Sequence, residues 1–159
     1  MKQLSEPEAL NKAAAYCTLC ERCIFEVRNK LTAWGIENAA QQRIIERLES
    51  EGFINEERYC RAFVNDKIKF NHWGRIKITA ALREKRVPKE NIADAIEQID
   101  EEEYSNVLKE VIAGKRKELK GKEDYQTQQK ILRLAASRGF EPSLIMKIIK
   151  FTPEDEIYL

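Results

Sequence analysis

LREKRVPKENIADAIEQI, from Leu82 to Ile99, carries the pattern that decides the fold. A basic turn (Lys85, Arg86) leads to a single apolar anchor, Val87; Pro88 then opens a helix, and an apolar pair, Ala95 and Ile96, stands eight and nine residues past the anchor. LTAWGIENAAQQRIIERL (Leu31–Leu48) has the same grammar with Ile36 as anchor and Ile44, Ile45 as the pair. AASRGFEPSLIMKIIK (Ala135–Lys150) has it again with Phe140, Ile148 and Ile149. The anchors lie 51 and 53 residues apart. One spacing used three times signals one structural unit used three times, with neighbours stacked to bury faces that none could bury alone.

Working outward, each unit divides into three helices, giving repeats over residues 5–54, 55–100 and 101–152. Ser5 with Glu8 forms a capping box with Pro7 in the opening turn, and Cys23 with Glu26 takes the same offsets before the stripe Val27, Leu31, Trp34. Helices are predicted near 6–21, 24–34 and 38–51. In the second unit Asn55 precedes the acidic turn Glu56, Glu57 and the stripe Tyr59, Ala62, Phe63, Phe70. The break Asn71-His72-Trp73-Gly74 separates it from helices near 75–86 and 89–99. The third unit shows helical periods at Tyr104, Val107, Leu108, Val111, Ile112 and at Ile131, Leu132, Ala135, and Pro142 starts its last helix. No alternating stretch is long enough for a strand, so the expected class is all-α.

Composition agrees. The 159 residues are 43% hydrophobic and 35% charged, with only 6 Gly and 4 Pro; charge above the roughly 25% usual for globular domains means helices with wet outer faces. No apolar run of about 18 residues and no basic-then-apolar leader occurs, so the expectation is a cytoplasmic chain with no membrane contact. The net charge is +1, but it is segregated. Lys67 to Lys89 carries eight basic residues against Glu84 alone, a net of +7, and Glu90 to Glu110 eight acids against Lys109, a net of −7. Basic residues return at Lys115, Arg116, Lys117, Lys120 and Lys122.

The segment GFINEERYCRAFVNDKIKFNHWGRIKITAALREKRV, Gly52 to Val87, resembles the central signature of the RecX family through Phe53, Ile54, Asn55, Glu56, Arg58, Tyr59, Phe63, Gly74, Ile78, Leu82, Lys85 and Val87. LRLAASRGFEPSLI resembles its third-repeat pattern through Leu132, Arg138, Gly139, Phe140 and Ile145, and the first repeat matches more loosely through Glu26, Val27, Leu31 and Gly35. Cys23 stands where the family more often has a Ser or Thr cap. The resemblance implies three three-helix repeats in an elongated, curved arrangement. It also implies a regulator that binds the RecA filament on single-stranded DNA and inhibits its recombinase, ATPase and co-protease activities; the chain is expected to be a monomer. Single-stranded or duplex DNA would be at most a weak direct partner.

On the helix from Arg75, a wheel places Ile78, Ala81 and Leu82 on the core side and gathers Arg75, Thr79, Arg83 and Arg86 within an arc of about 80°. That is a cationic stripe roughly 16 Å long, whose planar forks suit carboxylate or phosphate; the alternative is a stripe that only keeps the helix solvated. Lys77, close to Glu84, reads as ordinary solvated surface. The candidate partner- or nucleic-acid-binding residues are therefore Arg75, Arg83 and Arg86, with Lys67, Lys69, Lys85, Lys115, Arg116 and Lys117.

Cys17, Cys20 and Cys23 form C-x-x-C-x-x-C, but a tetrahedral metal site needs a fourth ligand, for which Cys60 and His72 are single candidates from another repeat. Helical placement puts Cys17 and Cys20 on one helix and Cys23 at the start of the next, so buried structural thiols are expected, with no metal or cofactor. His72, the one histidine, has no nucleophile pattern beside it; Trp73 and Trp34 close helical segments as core or hinge aromatics. No phosphate loop, G-x-S-x-G or H-E-x-x-H occurs, so an enzyme is not expected. Two alternatives stay open: a direct DNA-binding helical module, since three-helix units with a basic helix resemble helix-turn-helix proteins, and a metal or redox protein using the cysteines.

Overall fold

Helix after helix emerges where the caps place it. The computed structural model describes residues 3–121 and 124–149; the expected end of the third repeat at 150–152 and Lys122 lie outside them. The elements among them are α1 (Glu6–Leu19), α2 (Ile24–Ala33), α3 (Asn38–Ser50), α4 (Glu56–Lys69), α5 (Arg75–Glu84), α6 (Lys89–Glu97), α7 (Glu101–Glu118), α8 (Tyr125–Ser137) and α9 (Pro142–Ile149), all α-helices. The fold is an all-α helical repeat. Side chains accept from the first-turn amides, Ser5 Oγ from Glu8 N at 3.3 Å and Asn55 Oδ1 from Arg58 N at 2.9 Å as expected, and further Asp100 Oδ1 from Glu103 N at 2.9 Å and Asp124 Oδ1 from Thr127 N at 2.8 Å. α1 stops at Leu19, short of residue 21, because the backbone of Cys20 is extended.

The anchor grammar has a backbone explanation. Just before each anchor one residue turns left-handed, Gly35 at φ 77°, Arg86 at φ 56° and Gly139 at φ 94°. The anchor amide then reaches back to a carbonyl five residues earlier: Ile36 to Leu31 at 3.0 Å, Val87 to Leu82 at 3.4 Å, Phe140 to Ala135 at 3.2 Å. This closure satisfies a helix-end carbonyl and turns the anchor into the core; Ile36, Val87 and Phe140 are all buried.

The chain forms two compact units, and the division passes through α4, α5 and the end of α6 rather than between repeats. One takes the chain up to Phe63 with Leu82–Ala95, the other Val64–Ala81 with the chain from Ile96 onward. In the first, α1, α2 and α3 pack on one another around Ala9, Ala13, Val27, Leu31, Ile44, Ile45 and Leu48. In the second, α7, α8 and α9 pack around Tyr104, Leu108, Ile112, Ile131, Phe140 and Ile145, with the Tyr104 and Phe140 rings 5.3 Å apart.

Within the second unit two backbones touch. A Cβ on Gly74 would stand 2.4 Å from the carbonyl carbon and oxygen of Gly139, and one on Gly139 2.4 Å from Lys77 Cβ. Gly114, inside α7, has open space at the same atom. Gly74→Ala should therefore lower stability by more than about 2 kcal/mol, since the obstacle is backbone that cannot yield. Gly114→Ala should raise it by about 0.5–1 kcal/mol by removing helix-interior glycine entropy. Melting curves of the two variants should move in opposite directions.

Candidate functional site

Arg75, the first residue of the expected stripe, is not on a wet face. Its side chain is 18% exposed. One guanidinium nitrogen donates to Glu141 Oε2 at 2.7 Å, another to a Glu101 carboxylate oxygen, and the carbon between them lies 3.9 Å from the Tyr104 ring centroid. The Tyr104 hydroxyl donates to Glu141 and accepts from Arg75 N at 3.0 Å, closing the circuit. Burial alone would lower the Arg75 pKa, but the hydrogen bonds to Glu101 and Glu141 raise it overall; burial and the Glu141 bond push the Tyr104 phenol up. Cation and neutral phenol are thus fixed in form. The wheel gave the direction of Arg75 around its own helix but could not show that α7 and α9 bring acids to it.

Lys77 also departs from expectation. It is part-buried, with Nζ 4.5 Å from the Trp73 ring centroid, and Lys67 Nζ reaches the same ring at 4.8 Å. The structure thereby joins two lysines that the sequence left apart. Lys69, last in α4, is exposed. At the far end of α5, Arg83 is exposed, Lys85 Nζ lies 3.7 Å from Glu26 Oε2, and exposed Arg86 places its guanidinium 5.2 Å from the Phe25 ring centroid. In the last turn of α7, Lys115 Nζ donates to Glu118 at 3.2 Å, Arg116 is part-buried and Lys117 is exposed.

Residues not singled out by their charge turn out to hold the repeats together. Tyr59 and Tyr104 each stand fourth in the helix that opens a repeat, and both are buried. Tyr104 serves Arg75 and Glu141, while burial beside Cys23 and Glu26 pushes the Tyr59 phenol up. The start of α2 is finished by Glu26, which accepts from Cys23 N at 3.1 Å, and by Glu56, which accepts from Ile24 N at 3.3 Å. The matched offset of the two tyrosines was the available sequence signal.

Cys17, Cys23 and Cys60 are buried as expected; Cys20 is exposed, because it falls just past the end of α1. All four are free thiols, and among the described residues no group of three or more His, Cys, Asp or Glu is placed to hold a metal ion. His72 lies in the turn at φ 55°, with Nε2 4.0 Å from Glu110. No described helix is long and apolar enough to cross a membrane.

Three family models meet the chain in order, the first, second and third three-helix domains of RecX, over residues 9–48, 55–96 and 101–149. The chain belongs to the RecX family. The regulatory protein RecX of Clostridium perfringens strain SM101 is 30% identical over 133 residues, covering 82% of this chain and 62% of that protein. The RecX protein of Lactobacillus johnsonii is 26% identical over 144 residues, 90% of this chain and 53% of that one. The chain thus spans less than two thirds of the length of these curated relatives. The RecX crystal structure from Lactobacillus salivarius superposes with a TM-score of 0.81 at 21% identity, over 96% of this chain and 97% of that one, a likeness of fold.

Three outcomes follow from this RecX geometry. Arg75→Met should cost on the order of 2–3 kcal/mol, because it strips charged hydrogen bonds from Glu101 and Glu141, while Arg83→Met should leave the denaturation midpoint nearly unchanged. In thiol titration of the folded protein Cys20 should react alone and fast, with the others released only on unfolding. Burial pushes the Cys23 and Cys60 thiols up from 9.0 to about 11. The fold keeps these protons longer than the unfolded chain does, so their stabilising effect is complete below about pH 9 and declines as pH rises toward about 11. Cys60→Ala should flatten that alkaline decline in a melting series.

Proposed function

We propose that the chain binds the RecA–single-stranded DNA filament and restrains its strand exchange, ATP hydrolysis and co-protease activities by occupancy, with no chemistry of its own. The observation that carries this is the match of all three RecX domains, in order, over most of the chain. In this reading it works as a monomer in the cytoplasm, and helical repeats are well suited to binding extended partners.

The cations divide by role. Arg83 and Arg86 in the first unit, and Lys69 and Lys117 in the second, are exposed and available to acidic side chains or phosphates. Lys85, Lys115 and Arg116 support them from part-buried positions. Arg75 acts from inside, holding the start of α5, and Lys67 is held on Trp73. A single exposed ion pair contributes only about 0–1 kcal/mol, but forks desolvated together at an interface contribute more.

Co-sedimentation with RecA on single-stranded DNA and a nucleotide analogue tests binding, and strand-exchange assays test inhibition. Arg83→Glu with Arg86→Glu should keep the fold and weaken inhibition at least tenfold, and wild-type inhibition should fall with added salt. Arg133→Glu, exposed on α8, should change little. A wild-type chain that neither sediments with the filament nor slows exchange would refute the function. A double variant that inhibits fully would move the contact away from this end of α5.

A further inference from the structure

The turn between α4 and α5 carries side chains that no packing role absorbs. Phe70, immediately after α4, is 75% exposed, and Ile76 in the first turn of α5 is 55% exposed. Exposed Lys69 precedes Phe70. Lys67 from α4 and Lys77 from α5 converge on Trp73, each Nζ within 5 Å of its ring centroid. The indole thus holds two ammonium groups, from different helices, close enough together to address neighbouring phosphates of one strand. Arg138 Nη1 reaches Asn71 O at 3.3 Å, adding a cation to the same turn. The acids at this turn are Asp66 one turn back in α4, Glu110 beside His72, and Glu101 and Glu141, which are paired with Arg75.

We propose that this turn is a contact for single-stranded nucleic acid, with Phe70 offering a stacking face to an unpaired base and Lys69, Lys67 and Lys77 meeting the phosphates on either side. The assignment rests on the filament reading above and deepens it: the strand within the filament, and not only the recombinase, is touched. The choice of occupant follows from the surroundings of the ring. A bare aromatic with cations on both sides in sequence matches the platforms on which successive bases stack. Exposed Ile76 adds apolar surface to the turn, but the residues flanking Phe70, Lys69 and Asn71, are polar, where a protein anchor would be ringed by apolar side chains. A duplex keeps its base faces stacked and offers nothing to Phe70.

The test is fluorescence anisotropy of labelled oligo-dT with the full chain, without recombinase. Wild type should bind with an affinity that falls steeply with salt. Phe70→Ser should weaken binding about tenfold, and Lys69→Gln should lower the slope of log affinity against log salt by about one, while circular dichroism of both stays that of wild type. In a Trp34→Phe background the remaining Trp73 fluorescence should change on titration. Absence of oligo-dT binding by wild type, undiminished binding by Phe70→Ser, or equal competition by duplex of the same length would each overturn the proposal. So would a Phe70→Ser chain that keeps oligo-dT affinity yet loses capture by DNA-free RecA, which would make the turn a protein contact. If the oligomer results hold while wild type leaves RecA strand exchange untouched, the filament reading fails and the strand site stands.

Discussion

The first amides of a helix have no partners inside it, and at the start of α5 three in succession are supplied from the third repeat. Gly74 N donates to Arg138 O at 2.7 Å, Arg75 N to the Tyr104 hydroxyl at 3.0 Å and Ile76 N to Gly139 O at 3.0 Å. This arrangement requires two chains of backbone to come together without a Cβ between them, and Gly74 and Gly139 make that possible. Everything else at the second unit's junction follows from the approach. It sets Arg75 over Tyr104 and between Glu101 and Glu141, so that one guanidinium ties the helix to both α7 and α9.

The first unit meets the same need with different chemistry. Cys23 stands 51 residues before Gly74, ahead of the corresponding helix, and its side chain is fully buried. There the leading amides go to carboxylates, Glu26 on the same helix and Glu56 at the start of α4, and the buried tyrosine is Tyr59. A thiol sulfur is a poor acceptor, so Glu26 and Glu56 carry most of the capping. Arg86 replaces the glycine of the other two repeats at the left-handed position, and its side chain lies over Phe25 in place of empty backbone. Repetition preserves the backbone solution while the side chains that complete it change.

What the sequence disclosed and what it withheld follow from the range of the physics involved. Caps, breakers and the anchor spacing act within about ten residues, and Ser5, Asn55, Pro88 and Pro142 could therefore be placed directly. The resemblance carried by Gly52–Val87 and Leu132–Ile145 proved to reflect membership of the family. The arginine stripe was assembled from angles around one helix axis, and such a wheel cannot show what another helix brings against it. Glu141 meets Arg75 from 66 residues away. Lys77 failed in the same way, because its neighbour Glu84 was visible in sequence while the folding of Trp73 back over it was not. Cys20 was read as helical and buried because the end of α1 is decided by backbone, one residue before it.

The distance along the chain between α5 and the groups that complete its first turn gives that junction an order in time. A ribosome adding about 5–20 residues per second presents Gly74 and Arg75 several seconds before Arg138, Gly139 and Glu141 exist. Through that interval the amides of Gly74, Arg75 and Ile76 lack the acceptors that later take them. The first repeat, whose helices complete one another within about fifty residues, is whole by then. Synthesis thus runs from a finished first bundle to a middle helix waiting for its cap, which arrives only with the residues that lead into α9.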